Sequence, residues 1–462
     1  TRRAGPEMSE RRVAVVGGGI AGLAAAHALV TAPDAPQVEV FEADARVGGK
    51  MLTSPFAGHH AIDEGPDAFL ARLPWATALA KTVGLEATLV APAAGKAAVW
   101  WNELHDIPQG LLLGMPTDVM ALAKSHLLSW GGKLRAATEP FRPRTSLDDD
   151  SLGGYVRARF GAEVHLRLVD PLVGSIYAAD TDHFSLAAVP QIFDLASKAR
   201  SVLMAGRTMP KASPAAGPVF YAPRGGMGAL ATATADAVRA AGGTIHLDAS
   251  VTELAADGDG WRVDGSRFDG VVLASPAKAS ATLLRPVAPG VASTLAAIPA
   301  ADVAMVTIAI DRADWPAPLT ALSGYLVPKP MQRLVTAASF GSQKWAHWAD
   351  GSCIILRISL GRDGLPVLHL SDEQLLSAAI AEVGHHLGLT LQPRHTRVSR
   401  WSGAFPQYRP HHATTVAAAG QLLPAGLVLA GASYHGIGVP ACIRSAQQAA
   451  NLMRERLHLL SE

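Results

Sequence analysis

The stretch Arg11-Arg12-Val13-Ala14-Val15-Val16-Gly17-Gly18-Gly19-Ile20-Ala21-Gly22 decides the fold. Its first half is a short apolar run that stops at glycine, which predicts a buried strand ending in a tight turn. Its second half matches G-x-G-x-x-G and runs directly into IAGLAAAHALV (20–30), an Ala/Leu-rich helix pattern. Gly17 permits the turn, Gly19 lets a pyrophosphate approach the backbone, and Gly22 lets the helix pack closely on the sheet. The phosphates would meet free N–H groups at the helix N-terminus. A second strand pattern, VEVFEA (38–43), places Glu42 twenty residues after Gly22. A carboxylate there can accept hydrogen bonds from both hydroxyls of an adenosine ribose. The chain therefore opens as a βαβ dinucleotide-binding unit. NAD and FAD share this fingerprint, and it does not choose between them.

At about 150 residues per domain, the 462 residues imply two or three domains. The 40 Lys and Arg against 39 Asp and Glu leave a formal charge of +1, which offers no basic footprint for nucleic acid. With 49% hydrophobic and 17% charged residues, the chain is too apolar for disorder and can bury a large core. Two cysteines, Cys353 and Cys442, exclude a disulfide framework and a four-thiolate metal site. Residues 1–12 lack the apolar stretch of a secretory signal. The apolar region 107–130 carries Pro108, Pro116, Asp118 and Lys124, so it is not read as a transmembrane segment. A cytoplasmic setting is expected, with peripheral contact to a membrane surface left open.

Downstream, TSLDDDSLGGYVRARFG (145–161) reads as an acidic cap ahead of a helix. Residues 163–206 continue in helical style with Pro171 and Pro190 as breaks. SPAAGPVFYAPRGG (213–226) reads as connector then strand, and ALATATADAVRAAGG (229–243) as a helix closed by glycine. TIHLDASVTELAADGDGWRVDG (244–265) reads as strand, turn, strand, and FDGVVLAS (268–275) as a further buried strand. Residues 300–370 alternate as an antiparallel sheet would. AGLVLAGA (425–432) returns to the parallel-strand style, and CIRSAQQAANLMRERL (442–457) reads as a closing helix. The expected fold class is α/β, with a Rossmann-like dinucleotide domain assembled from discontinuous segments, 10–75, 215–285 and 405–460. An inserted α+β substrate domain with an antiparallel sheet takes 76–105, 186–214 and 286–404. A helical subdomain takes 106–185.

Arg46-Val47-Gly48-Gly49-Lys50 follows the ribose acid with a second glycine pair. An acid, five residues, then G-G-[RK] resembles the flavin amine-oxidase superfamily, which selects FAD. Asp63-Glu64-Gly65-Pro66-Asp67-Ala68-Phe69-Leu70 narrows the resemblance to the FAD-dependent protoporphyrinogen and coproporphyrinogen oxidases. SLGGYVRARFG (151–161), DPLVGSIYAADTDHFSL (170–186), PRGGMGAL (223–230), FPQYRPHH (405–412) and GASYHGIGVPACIRSA (431–446) resemble the same family in the same order. Together they cover most of 13–457. Gln343-Lys344-Trp345-Ala346-His347 and the placement of Lys96 favour the bacterial coproporphyrinogen III oxidase branch.

The resemblance implies noncovalent FAD, held at the pyrophosphate by Gly17, Gly19, Ile20, Ala21 and Gly22. It places Glu42 and Ala43 at the ribose and adenine end, with Val251, in what reads as an ASVTEL strand, on the adenine. Lys50 and the Gly65-Pro66-Asp67 turn would lie along the flavin, and Trp401 with Ile437-Gly438-Val439 would line the isoalloxazine. Lys96, Ile176 and Tyr177 would face the substrate cavity, Lys96 as a point charge for a propionate. No catalytic residue and no metal ligand is assigned.

The implied reaction is oxygen-dependent, six-electron oxidation of coproporphyrinogen III to coproporphyrin III in haem biosynthesis, with hydride passing to FAD and hydrogen peroxide released. The porphyrinogen and molecular oxygen are the expected partners, with a ferrochelatase downstream by pathway order. Protoporphyrinogen IX oxidase, another oxidase of the superfamily, and a non-enzymatic porphyrin carrier with structural FAD are the alternatives. The pairs His59-His60, His385-His386 and His411-His412 do not suggest a metal, since neighbours on a strand point to opposite faces. His435, beside the flavin loop, is read either as reaching the ring edge or as exposed.

Overall fold

The computed structural model describes residues 11–108, 110–208, 217–349 and 351–459. The readings made of residues 1–10 and of the first part of the 213–226 connector lie outside these residues. The strand Arg12–Val16 has Val13, Ala14 and Val15 fully buried, because the helix Ile20–Val30 covers one face and a small antiparallel sheet at 254–268 packs on the other. It is central in a five-stranded parallel sheet ordered 244–246, 37–41, 12–16, 270–273, 427–429. The helix Ile20–Val30 packs against the closing helix Val439–Leu459 and against Met227–Ala240. The closing helix starts at Val439, ahead of the apolar pattern at 442–457. This sheet thus gathers strands from the start, middle and end of the chain.

A second sheet has seven strands, ordered 395–406, 300–311, 353–360, 335–340, 322–326, 96–101, 103–106. It is antiparallel except where Lys96–Trp101 runs parallel to Leu322–Leu326, so it is mixed rather than purely antiparallel. Strand 96–101 comes from an earlier part of the chain and reaches its neighbour by a long crossover, the connection that parallel pairing needs. Val306, Ile308, Leu356 and Ile358 pack on one face with the helix Asp372–Leu387. A capping box from Ser371 and Gln374 starts that helix, and Gly388 ends it in the left-handed conformation. By alternation, Thr307, Arg357, Ser339 and Arg397 share the opposite face, in register across four strands. That face meets the 63–67 segment. Helices between 130 and 208 enclose a further core that includes Leu152, Phe160, Leu168, Phe184 and Ile192. Among the described residues no helix is long and apolar enough to cross a membrane.

Three local expectations change. Ser151, rather than the acidic run, caps the helix Leu152–Phe160, its Oγ accepting from Gly154 N. Asp150 is buried and accepts from Ser185 Oγ and from the N–H groups of Ala187 and His411, because a buried carboxylate must collect donors. Pro171 does not break its helix: it lies inside the π-helical segment His165–Gly174, whose wider turn tolerates a missing N–H donor. Val251 is not on a strand. The strand Thr244–His246 ends, and the chain crosses to a small antiparallel sheet that begins at Leu254. Ala249 N donates to Glu42 O, and the Asp264 carboxylate takes the N–H groups of Thr252 and Glu253, which engages the donors a strand ladder would use.

Candidate active site

The 17–22 turn has the shape that its glycines allow. Gly17 sits at φ +109° and donates to Phe41 O at 2.8 Å, tying the turn to the next strand. A Cβ on Gly22 would stand 1.8 Å from Gly17 O, so the helix could not pack there with any side chain. In front of Gly19 the space is open, and no side chain caps the helix that begins at Ile20. The N–H groups at that end are therefore offered to an anion.

Glu42 is buried at the end of the second strand. One carboxylate oxygen accepts from Gly18 N at 2.6 Å and the other from Asp44 N at 2.9 Å. Each oxygen retains a lone pair for a hydroxyl donor. Ala43 is exposed, and Val251 is partly buried two residues beyond the Ala249 bond to Glu42. The Gly48-Gly49 turn closes on the first one: Gly48 N donates to Gly18 O at 2.8 Å, and the Gly49 Cβ position lies 3.5 Å from Gly19 Cα. Lys50 follows, partly buried, and burial holds its ammonium below the usual lysine range. No carboxylate among the described residues forms an ion pair with it. The open helix N-terminus fits the pyrophosphate of a dinucleotide, and Lys50, whose backbone carbonyl packs against Gly65, stands by the next turn.

Beyond it, the 63–67 turn is held from behind. A Cβ on Gly65 would stand 2.1 Å from Lys50 O, and Arg357 donates to Gly65 O. Asp67 bonds Lys344 Nζ at 2.9 Å, Arg357 at 3.1 Å and Trp345 Nε1 at 3.2 Å. Burial alone would raise its pKa, yet the two cations hold it well below the carboxylate range. Glu64 accepts from Ser54 Oγ and Ser399 Oγ, while Trp401 Nε1 donates to Glu64 O at 3.0 Å. Burial pushes Asp63 up to about 6, against the bond from Thr53. The acids of this segment thus face protein anchors, and the backbone at Gly65-Pro66 and the Trp401 indole form its front.

On the far side, Gly436 and Gly438 have φ of +119° and +105°, and the space around the Gly438 Cβ position is open. Ile437 packs toward the helical core, Val439 begins the closing helix, and His435 is exposed. Tyr177 packs against Phe184 with ring centres 5.0 Å apart and the planes tilted by 32°, and Ile176 beside it is half exposed. Lys96 is exposed at the first position of its strand. Alternation gives it the face of Ala98 and Trp100, toward the Asp372–Leu387 helix and away from the 63–67 turn. Arg357, Lys344, Gln407 and Tyr408 escaped the sequence reading as site supports, because their partners lie far off in the chain. Three of them, Lys344, Gln407 and Tyr408, stood inside motifs that signalled the family without the residues' roles.

The flavin containing amine oxidoreductase family matches residues 20–454. A coproporphyrinogen III oxidase from Propionibacterium freudenreichii is 32% identical, the match covering 97% of this chain and 91% of that protein. The human protoporphyrinogen oxidase is 30% identical, with 95% and 98% covered. The crystal structure of an Exiguobacterium sp. 255-15 protein, provisionally assigned as a protoporphyrinogen oxidase, superposes with a TM-score of 0.86 at 29% identity, covering 98% of this chain and all of that one. A flavin dinucleotide fits the open helix N-terminus, the ribose acid and the half-buried Lys50 described above. The chain belongs to the flavin containing amine oxidoreductase family, among relatives named coproporphyrinogen III oxidase.

Proposed function

We propose that the protein is an FAD-dependent coproporphyrinogen III oxidase of haem biosynthesis, acting in the cytoplasm. The observation that carries this reading is the end-to-end likeness to a coproporphyrinogen III oxidase, joined to a dinucleotide cradle with a second glycine turn closed upon it. FAD, when bound, supplies the acceptor for hydride leaving a meso carbon of the porphyrinogen. The chain's own part is to bind, orient and exclude water. Glu42 holds the ribose, the helix at Ile20 holds the phosphates, and Lys50 and the braced Gly65-Pro66 turn with Trp401 fix where the flavin lies. Ile176 and Tyr177 form an apolar wall for the macrocycle. Lys96, turned toward the Asp372–Leu387 helix, is given no part in holding the substrate, contrary to the expectation from sequence. Three oxidations each remove a hydride and a proton, so one porphyrinogen and three O2 give one porphyrin and three H2O2. The division into FAD, substrate and helical domains at the boundaries given above belongs to the same proposal. So does hand-over of product to a ferrochelatase.

The test is porphyrin fluorescence growth in air, using FAD-replete protein with coproporphyrinogen III and protoporphyrinogen IX in parallel. Faster turnover of the four-propionate substrate is expected. Equal or faster turnover of protoporphyrinogen would favour the second reading, which the likeness to the human enzyme supports. Oxidation of neither would overturn both.

A further inference from the structure

The strand His395–Pro406 is followed directly by Gln407-Tyr408, both buried, and each residue reaches a different wall of the site. Tyr408 Oη donates to Ala432 O at 2.5 Å and accepts from Gly436 N at 2.8 Å. One hydroxyl thus spans the loop that leads into Ile437-Gly438. The Tyr408 ring lies between His412, stacked at 3.8 Å, and Phe184 at 6.2 Å, and Phe184 in turn carries Tyr177. Gln407 works in the other direction. Its amide Nε2 donates to Tyr177 O at 3.2 Å and Ala178 O at 3.3 Å, and its backbone N donates to Pro299 O at 2.7 Å. Ala178 has φ +46°, a left-handed conformation that alanine adopts at a cost, so this bend needs external support. Asp363 N also donates to Ala178 O at 2.8 Å, and Arg409 holds the Asp363 carboxylate. Residues 407–409 therefore brace the 177–178 bend directly and through Asp363.

We propose that Gln407 and Tyr408 are paired positioning residues, which together set the spacing between the flavin-side loop at 432–438 and the substrate wall at 176–178. The proposal rests on the reading that these two segments border flavin and porphyrinogen. Neither side chain touches a reacting atom; each acts through the backbone that it holds. Because the two are consecutive just past one strand end, the walls cannot drift apart without breaking the bonds of one residue or the other.

The experiment uses full-length FAD-loaded protein with three substitutions. Tyr408→Phe removes the hydroxyl but keeps the stacked ring, and Gln407→Met removes the amide but keeps the volume. Tyr325→Phe is the control, since its buried hydroxyl meets His386 at 3.0 Å on the other face of the large sheet. Two quantities are read: FAD release after dilution, from the return of free flavin fluorescence, and KM for coproporphyrinogen III. Tyr408→Phe is expected to release FAD about fivefold faster with KM unchanged, roughly what one lost hydrogen bond produces. Gln407→Met is expected to raise KM about fivefold with FAD release unchanged. The control should move neither. FAD release in Tyr408→Phe equal to wild type overturns the proposal, as does a control that matches the two variants or a Gln407→Met that moves both quantities alike. If wild type oxidises no porphyrinogen, the functional reading falls, and the FAD-release arm still decides the flavin half of the clamp.

Discussion

Asp63 carries a proton more readily in the folded protein than in the unfolded chain, since burial lifts its pKa from 3.8 to about 6. Between those values the folded state binds the extra proton, so this group's contribution to stability falls as pH rises through that window. Asp63→Asn keeps an oxygen that can accept from Thr53 Oγ and Met227 N, as Asp63 does now. Relative to wild type the variant should gain stability from pH 4 to pH 7, by up to about 3 kcal/mol. Urea melts at several pH values check this, and a pH-independent difference would refute it. Residues whose partners are local were legible from sequence. Gly17, Gly22 and Glu42 meet within one βαβ unit, and pattern alone located them. Asp67 was legible as part of a motif, but its anchor Lys344 lies 277 residues downstream. No local pattern reports a bond of that span.

At the scale of elements, the π-helical segment His165–Gly174 is held to the large sheet by one buried ion pair. Arg362 bonds Asp170 through both terminal nitrogens at 3.0 and 3.1 Å, and Thr181 Oγ1 donates to the same carboxylate at 2.6 Å. Arg362 lies just past the strand Cys353–Leu360, so the pair joins the helical core to the sheet. Asp170→Ala leaves the guanidinium buried without its partner, and should destabilise the protein by about 3–5 kcal/mol. Asp170→Leu combined with Arg362→Met should recover much of that loss, because two apolar side chains leave no orphaned charge. Chemical denaturation of the single and double variants gives the comparison, and additive losses would contradict it. The sequence reading of Pro171 as a break failed. Proline's usual effect assumes an ordinary α-helical turn, whereas Pro171 lies in a wider, π-helical one. The strand reading of Val251 failed because Asp264, from the next hairpin, captures its neighbours' N–H groups.

For the whole molecule, the dinucleotide sheet depends on both ends of the described chain. The first helix shares its core with the closing helix, where Leu23, Leu29, Ile443, Ala446, Ala450 and Met453 are all buried. Packing there is close: a Cβ on Gly270 would stand 2.3 Å from Met453 Sδ. Ending the chain after Gly438 should give protein that retains no FAD, read as absent flavin absorbance in the soluble fraction. Retention of stoichiometric flavin would show that the first unit holds the cofactor unaided. The order of the strands has a consequence for biosynthesis. A ribosome makes the glycine turn well before the helix Val439–Leu459 that packs on Ile20–Val30, with the entire seven-stranded sheet made in between. A nascent chain that lacks the closing helix thus exposes an unfinished cradle, and capture of FAD becomes an event that follows synthesis of residues 439–459.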